Sequence, residues 1–201
     1  MKMYDYPAPN AQKVRIFAYE KKISIDYISV DLLNHALRTP EMLKKNPLAT
    51  VPFLELDDGA IIRESRAIIE YLEGIKNEPN MLGSDPLEKA RIQEIDRLIE
   101  LGLMFELGNY VHNVSPFFKD KGPQSEEAKE MALNCYKKNL KILENEITGD
   151  EFLMLNRPTV ADCTLFSTFT FAESLSLNHH NDFKNISKWY LKFKERKSSK
   201  A

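Results

Sequence analysis

Cysteine is scarce: the 201 residues hold two, Cys135 and Cys163, in no CxxC or Cys/His spacing. That excludes a disulfide-built secreted scaffold and a zinc module, both of which need more thiols at set intervals. An excess of one charge is also missing. Lys and Arg number 28 against 30 Asp and Glu, a formal net charge of −2, so no global field draws the chain to nucleic acid or an acidic membrane. No stretch approaches the ~20 apolar residues of a membrane span. The opening Met1-Lys2-Met3-Tyr4-Asp5-Tyr6-Pro7 has no apolar signal core. These absences set the expectation of a cytoplasmic protein with no metal, no nucleic-acid partner and no membrane partner. What remains is an ordinary globular mixture, 43% hydrophobic, 10% aromatic and 29% charged, in a chain of 201 residues that can bury one core or two small ones.

The pattern changes near residue 80. Before it, short strand-like and helix-like pieces alternate. Lys2–Tyr6 is β-prone and closed by Pro7 and Pro9, Ala11–Lys21 has helical spacing, and Asp26–Asp31 alternates as a strand. Thr39-Pro40 marks a short helix start, Val51–Leu56 and Ala60–Arg63 form a hairpin around Asp57-Asp58-Gly59, and Glu64–Glu73 closes the section as a helix. Residues 77–86 are rich in breakers, with two prolines and a glycine. Beyond them the spacing predicts helices over Leu87–Asn109 and Ser125–Ile147, from Thr159 onward, and over Ile186–Lys194. The tail Lys197–Ala201 reads as frayed, and His179-His180 as a solvated loop.

Three local features carry chemistry. In Asn46-Pro47-Leu48-Ala49-Thr50-Val51-Pro52, the proline removes a ladder donor at the start of a good strand. A trans proline at an edge and a cis proline leaving Val51 free to pair with an extended peptide both fit. Glu64-Ser65 stands at a strand-to-helix junction, where free N–H groups and a hydroxyl suit a carboxylate and Glu64 suits an ammonium group. Ordinary capping by Ser65 fits equally. Thr159-Val160-Ala161-Asp162 reads as a capping box with Asp in place of Glu, a structural feature.

Taken together these segments resemble the cytosolic-type glutathione S-transferase family over essentially the whole chain. Met3 through Ile16 resembles that family's first strand and active-site helix. Asn46 through Pro52, Asp57-Asp58-Gly59 and Glu64-Ser65 resemble its glutathione-binding half, and Arg157 through Asp162 its helical capping segment. The resemblance implies an α/β thioredoxin-like N-terminal domain over 1–78, a linker over 79–85, an all-α helical bundle domain over 86–201, and a homodimer. It also implies roles. Thr50, Val51 and a cis Pro52 would dock the cysteinyl unit of glutathione. Ser65 would hold the γ-glutamyl carboxylate, with Glu64 near the amine. Arg38 or His35 would meet the glycyl carboxylate, because Leu37 stands where related bacterial chains often carry Gln.

The expected chemistry is transfer of the glutathione thiolate, the co-substrate's nucleophile, to a small hydrophobic electrophile. A free thiol of pKa ~8.5 is only a few per cent ionised at pH 7, so a donor aimed at sulfur raises the reactive fraction. Many relatives place a Tyr, Ser or Cys at the end of the first strand, whereas this chain reads Pro7-Ala8-Pro9-Asn10. That matches a Nu/Theta-like pattern at Asn10, which becomes the thiolate-stabilising candidate, with Tyr4 and Tyr6 as backups. Met104, Gly108, Tyr110 and His112 are the candidates for the electrophile pocket. The missing hydroxyl keeps two alternatives open: glutathione-dependent disulfide reduction, and a non-catalytic binding or regulatory protein on the same scaffold.

Overall fold

Alternation in Lys2–Asp5 places Met3 and Tyr4, both buried, on opposite faces of the first strand, β1. The helix α1 (Pro9–Glu20) follows, opening on Pro9 and burying Val14, Phe17 and Ala18. It returns the chain to β2 (Asp26–Ser29), which pairs parallel to β1 with Met3 beside Tyr27. A 3-10 turn at Ala36–Arg38 leads to α2 (Pro40–Lys45), whose start is capped by the Thr39 hydroxyl accepting from Met42 N–H. The strands β3 (Phe53–Glu55) and β4 (Ile61–Arg63) form the antiparallel hairpin, and Gly59 supplies the positive φ of 86° that its turn requires. The helix α3 (Ser65–Ile75) then packs beside α1. The sheet order is β2-β1-β3-β4, with only the β1–β2 pair parallel. This is the expected thioredoxin-like layout.

Register explains the core on one face. Tyr4 and Phe53 are cross-strand partners, and their rings stack 4.2 Å apart, against Val30 and Leu37. The Tyr4 hydroxyl donates to Glu55 at 2.8 Å, and the Lys45 ammonium donates to both Tyr4 and Glu55, also at 2.8 Å. These bonds hold the Glu55 carboxyl below its usual range. Arg63 closes the arrangement by donating twice to the Lys45 carbonyl, at 3.0 and 2.7 Å, capping the end of α2.

The structure, a computed structural model, describes residues 1–201 apart from the side chain of Lys121. It divides into two compact units, Met1–Met81 with Lys197–Ala201, and Leu82–Arg196. The segment after α3 is tied to the first unit by Lys21. Its ammonium is fully buried, pairs with Glu73, and donates to the carbonyls of Lys76, Asn77 and Pro79 at 2.8, 3.2 and 2.6 Å. The tail departs from expectation. Lys197–Lys200 forms a 3-10 turn, Ser198 is buried, and its hydroxyl donates to Glu20.

Among the described residues, every regular element of the second unit is a helix. The helix α4 (Pro86–Ile99) starts on Asp85, which accepts from Leu87 and Glu88 N–H at 2.8 and 3.0 Å. It runs through a π segment, Glu100–Met104, into α5 (Phe105–Val114). The widened turn leaves the Gly102 carbonyl to accept from Asn139 at 3.0 Å. Asn139 lies on α6 (Glu126–Glu146), whose start is capped by the Ser125 hydroxyl accepting from Ala128 N–H. Next comes α7 (Val160–Ser174), almost wholly buried, and then α8 (Lys184–Lys194). Asp162 joins the last two. It accepts from Thr159 N–H and hydroxyl at 2.8 Å, from Leu153 N–H at 2.9 Å and from the Trp189 indole at 3.0 Å. The capping box is therefore also a buried junction.

The His179-His180 pair is not a solvated loop. It opens a 3-10 turn in which His180 is fully buried, stacked 4.6 Å from the Phe169 ring and edge-on to Tyr190. Apolar Phe169 and Tyr190 fill the space that water would occupy, so the local polar sequence gives no sign of this burial.

Candidate functional site

The site grows from the starts of two helices in the first unit. Ala8 precedes α1 with no side-chain cap, and Pro9 occupies the first helical position, which places Asn10 in the first turn with its donors uncapped. At the other start, Glu64 precedes α3 with φ 69° and ψ 125°, a conformation that costs a non-glycine residue ~1–3 kcal/mol. That sharp turn puts Ser65 at the first helical position. The two starts meet: the buried Ser65 hydroxyl donates to the Asn10 side-chain oxygen at 3.3 Å. Two partial positive helix ends therefore converge on one place.

The third wall is the loop before β3. Asn46 is buried and shapes it, accepting from Leu48 N–H at 3.2 Å and donating to the Thr50 carbonyl at 2.8 Å, while Ala49 takes a positive φ of 51°. The Val51–Pro52 peptide bond is cis, the arrangement expected from the family resemblance. Val51 stands two residues before Phe53, where the ladder with β1 begins, and its own N–H and C=O are unpaired among the described residues. Asn10, Thr50, Val51, Pro52, Glu64 and Ser65 together line one pocket of about 160 Å³.

Six of the ten residues singled out from sequence for the glutathione site thus fall together. The other four do not line the pocket. Tyr6 lies half-buried just after β1, its carbonyl accepting from Ala8 N–H at 2.6 Å. His35, just before the 3-10 turn, and Arg38, its last residue, are both exposed, while the turn sinks Leu37 into the core, so Leu37 has no free side chain to offer. Tyr4 is committed to Glu55, Lys45 and Phe53. Asn46 enters the sequence reading only as the start of the segment ending at Pro52, and its organising role comes from burial. Met104 lies on the π segment, with Gly108, Tyr110 and His112 on α5, all in the second unit. Both cysteines are also there, Cys163 buried and Cys135 half-buried.

The chain thus joins a thioredoxin-like sheet, whose pre-β3 proline and α3 start share a pocket, to a helical unit. The profile described as "Glutathione S-transferase, N-terminal domain" matches residues 3–80, and "Glutathione S-transferase, C-terminal domain" matches 109–197. The chain belongs to the glutathione S-transferase family. It is 33% identical over 214 residues to "Glutathione S-transferase 2" of Saccharomyces cerevisiae, a match spanning 100% of this chain and 88% of that protein. It is 29% identical over 178 residues to "Maleylacetoacetate isomerase" of Pseudomonas aeruginosa, spanning 86% of this chain and 82% of the relative. Among solved structures, a glutathione S-transferase domain-containing protein from Marinobacter aquaeolei superposes with a TM-score of 0.90 at 32% identity, over 99% of this chain and 100% of the other.

Proposed function

We propose that the chain is a glutathione transferase that joins the glutathione thiolate to a small hydrophobic electrophile. The observation that carries this reading is the shared pocket of Asn10, Thr50, Val51, Pro52, Glu64 and Ser65 beneath two helix starts. In this reading the unpaired backbone of Val51 pairs with the cysteinyl unit as a short added strand. Ser65 and the first turn of α3 hold the γ-glutamyl carboxylate, and Glu64 takes the amine. Arg38 or His35 meets the glycyl end. The sulfur then lies toward the start of α1, where the Asn10 amide and the helix dipole favour the thiolate over the thiol. The thiol proton passes to solvent. The thiolate pair forms the new S–C bond, and a leaving group departs with its own bonding pair or the electrophile's π bond takes up the charge.

Calorimetric titration with glutathione tests the site. Ser65→Ala removes one hydrogen bond to a carboxylate, worth ~1.5–3 kcal/mol, so the dissociation constant should rise roughly ten-fold or more. Unchanged affinity would contradict the assignment. Turnover of an activated aryl halide then separates a transferase from a protein that only binds glutathione. Reduction of a mixed glutathione disulfide would instead support exchange between thiols of the substrates, since this chain's Cys163 is buried and its Cys135 half-buried.

A further inference from the structure

The hydroxyl of Ser65 has one hydrogen, and in this structure it is already spent on the Asn10 side-chain oxygen. Both residues line the pocket, Ser65 almost fully buried and Asn10 exposed. A carboxylate entering beside Ser65 offers only acceptors, as does the Asn10 oxygen that faces the same hydroxyl. One hydrogen cannot serve both acceptors well, and two acceptors brought side by side repel. We propose that Asn10 and the γ-glutamyl carboxylate compete for the Ser65 hydroxyl, so that arrival of the carboxylate releases the Asn10 amide to turn its NH2 toward the sulfur.

This rests on the glutathione reading above and adds an order of events to it. The carboxylate wins because a bond to a charged acceptor is stronger than one to a neutral amide, and the bond it replaces is long at 3.3 Å. No proton leaves the serine; its hydroxyl rotates about the Cβ–Oγ bond. The terminal torsion of an asparagine is broad and nearly two-fold, so the freed amide can turn while the backbone of α1 stays in place. Ser65 is then a positioning residue for Asn10 as well as a ligand for the carboxylate. Binding at one end of the co-substrate readies the donor at the other. In the empty pocket, Asn10 works against carboxylate binding.

S-methylglutathione, whose blocked sulfur cannot ionise, isolates the competition. Calorimetric titrations of wild type, Asn10→Ala, Ser65→Ala and the double variant are expected to differ in pattern. Asn10→Ala should bind about three- to ten-fold more tightly than wild type, because the competing acceptor is gone. Ser65→Ala should bind more weakly, and adding Asn10→Ala to it should change nothing further. Glutathione itself supplies a second readout: its bound thiol pKa should rise in Asn10→Ala yet stay lowered in Ser65→Ala, where Asn10 is free from the outset. Unchanged or weaker S-methylglutathione binding by Asn10→Ala overturns the competition, as does an equal gain in the Ser65→Ala background. Failure of wild type to bind the analogue at all overturns the glutathione reading itself, a separate and distinguishable result.

Discussion

At the scale of single residues, a side chain's neighbours decide its chemistry more than its type does. His180 is fully buried and neither ring nitrogen is hydrogen-bonded; Glu173 Oε1 lies 3.8 Å from its Nε2, and the Lys194 ammonium is 3.5 Å from the same carboxylate's Oε2. Burial lowers its pKa from 6.5, and Lys194 and His179 act in the same direction, while Glu173 and Asp182 oppose them. The sign for stability follows. Below the unfolded value of 6.5 the unfolded chain takes up a proton that the folded one refuses, so stability falls as pH drops from there toward the lower folded value. His180→Phe keeps the stacking on Phe169 and removes the titration. Thermal unfolding between pH ~7.5 and ~5.5 should show a smaller fall in Tm for the variant than for wild type. Equal falls would mean that the ring is hydrated and protonates freely in the folded state.

At the scale of elements, capping and turn chemistry set where helices begin, and these signals were legible in the sequence because they are local. Thr39-Pro40, Ser125-Glu126-Glu127 and Thr159 all stand where helices start, whereas the Asp85 cap falls inside the stretch that reads as a breaker-rich linker. The hairpin around Asp57-Asp58-Gly59 was legible for the same reason. What was not legible depends on partners far along the chain. The π segment at Glu100–Met104 continues the apolar helical spacing, and only the Asn139 side chain, 37 residues away, marks its freed carbonyl. The bond from Ser65 to Asn10 spans 55 residues, so each motif announced a candidate without announcing their contact. The burial of His180 and Ser198 likewise comes from rings and helices that local polarity does not encode. Asp162 shows how much one junction can hold. Asp162→Ala strands four buried donors, each costing ~1–3 kcal/mol, against a total stability of only ~5–15 kcal/mol for a typical domain. Urea unfolding should therefore show a loss of several kcal/mol or no folded helical unit. A loss below ~1 kcal/mol would contradict the account of this junction.

At the scale of the whole molecule, family membership carries expectations of assembly and chemistry. The helical unit exposes Leu101 and Phe105, one turn apart, together with Leu87 and Met131, each at least half accessible to solvent. The family resemblance implies a homodimer, and burial of such side chains between two copies is what it would require. Sedimentation equilibrium should give about twice the chain mass of 23.3 kDa, and a concentration-independent single chain mass would contradict it. The glutathione reading requires that the pocket beneath the starts of α1 and α3 hold glutathione as its thiolate. Titration of thiolate absorbance for the bound co-substrate tests this directly, with Asn10→Ala and Tyr6→Phe beside wild type. The account predicts a bound thiol pKa below the free value of ~8.5 in wild type and Tyr6→Phe, raised by about one to two units in Asn10→Ala. An unlowered pKa in wild type would contradict the account, and a rise confined to Tyr6→Phe would move the role from Asn10 to the tyrosine.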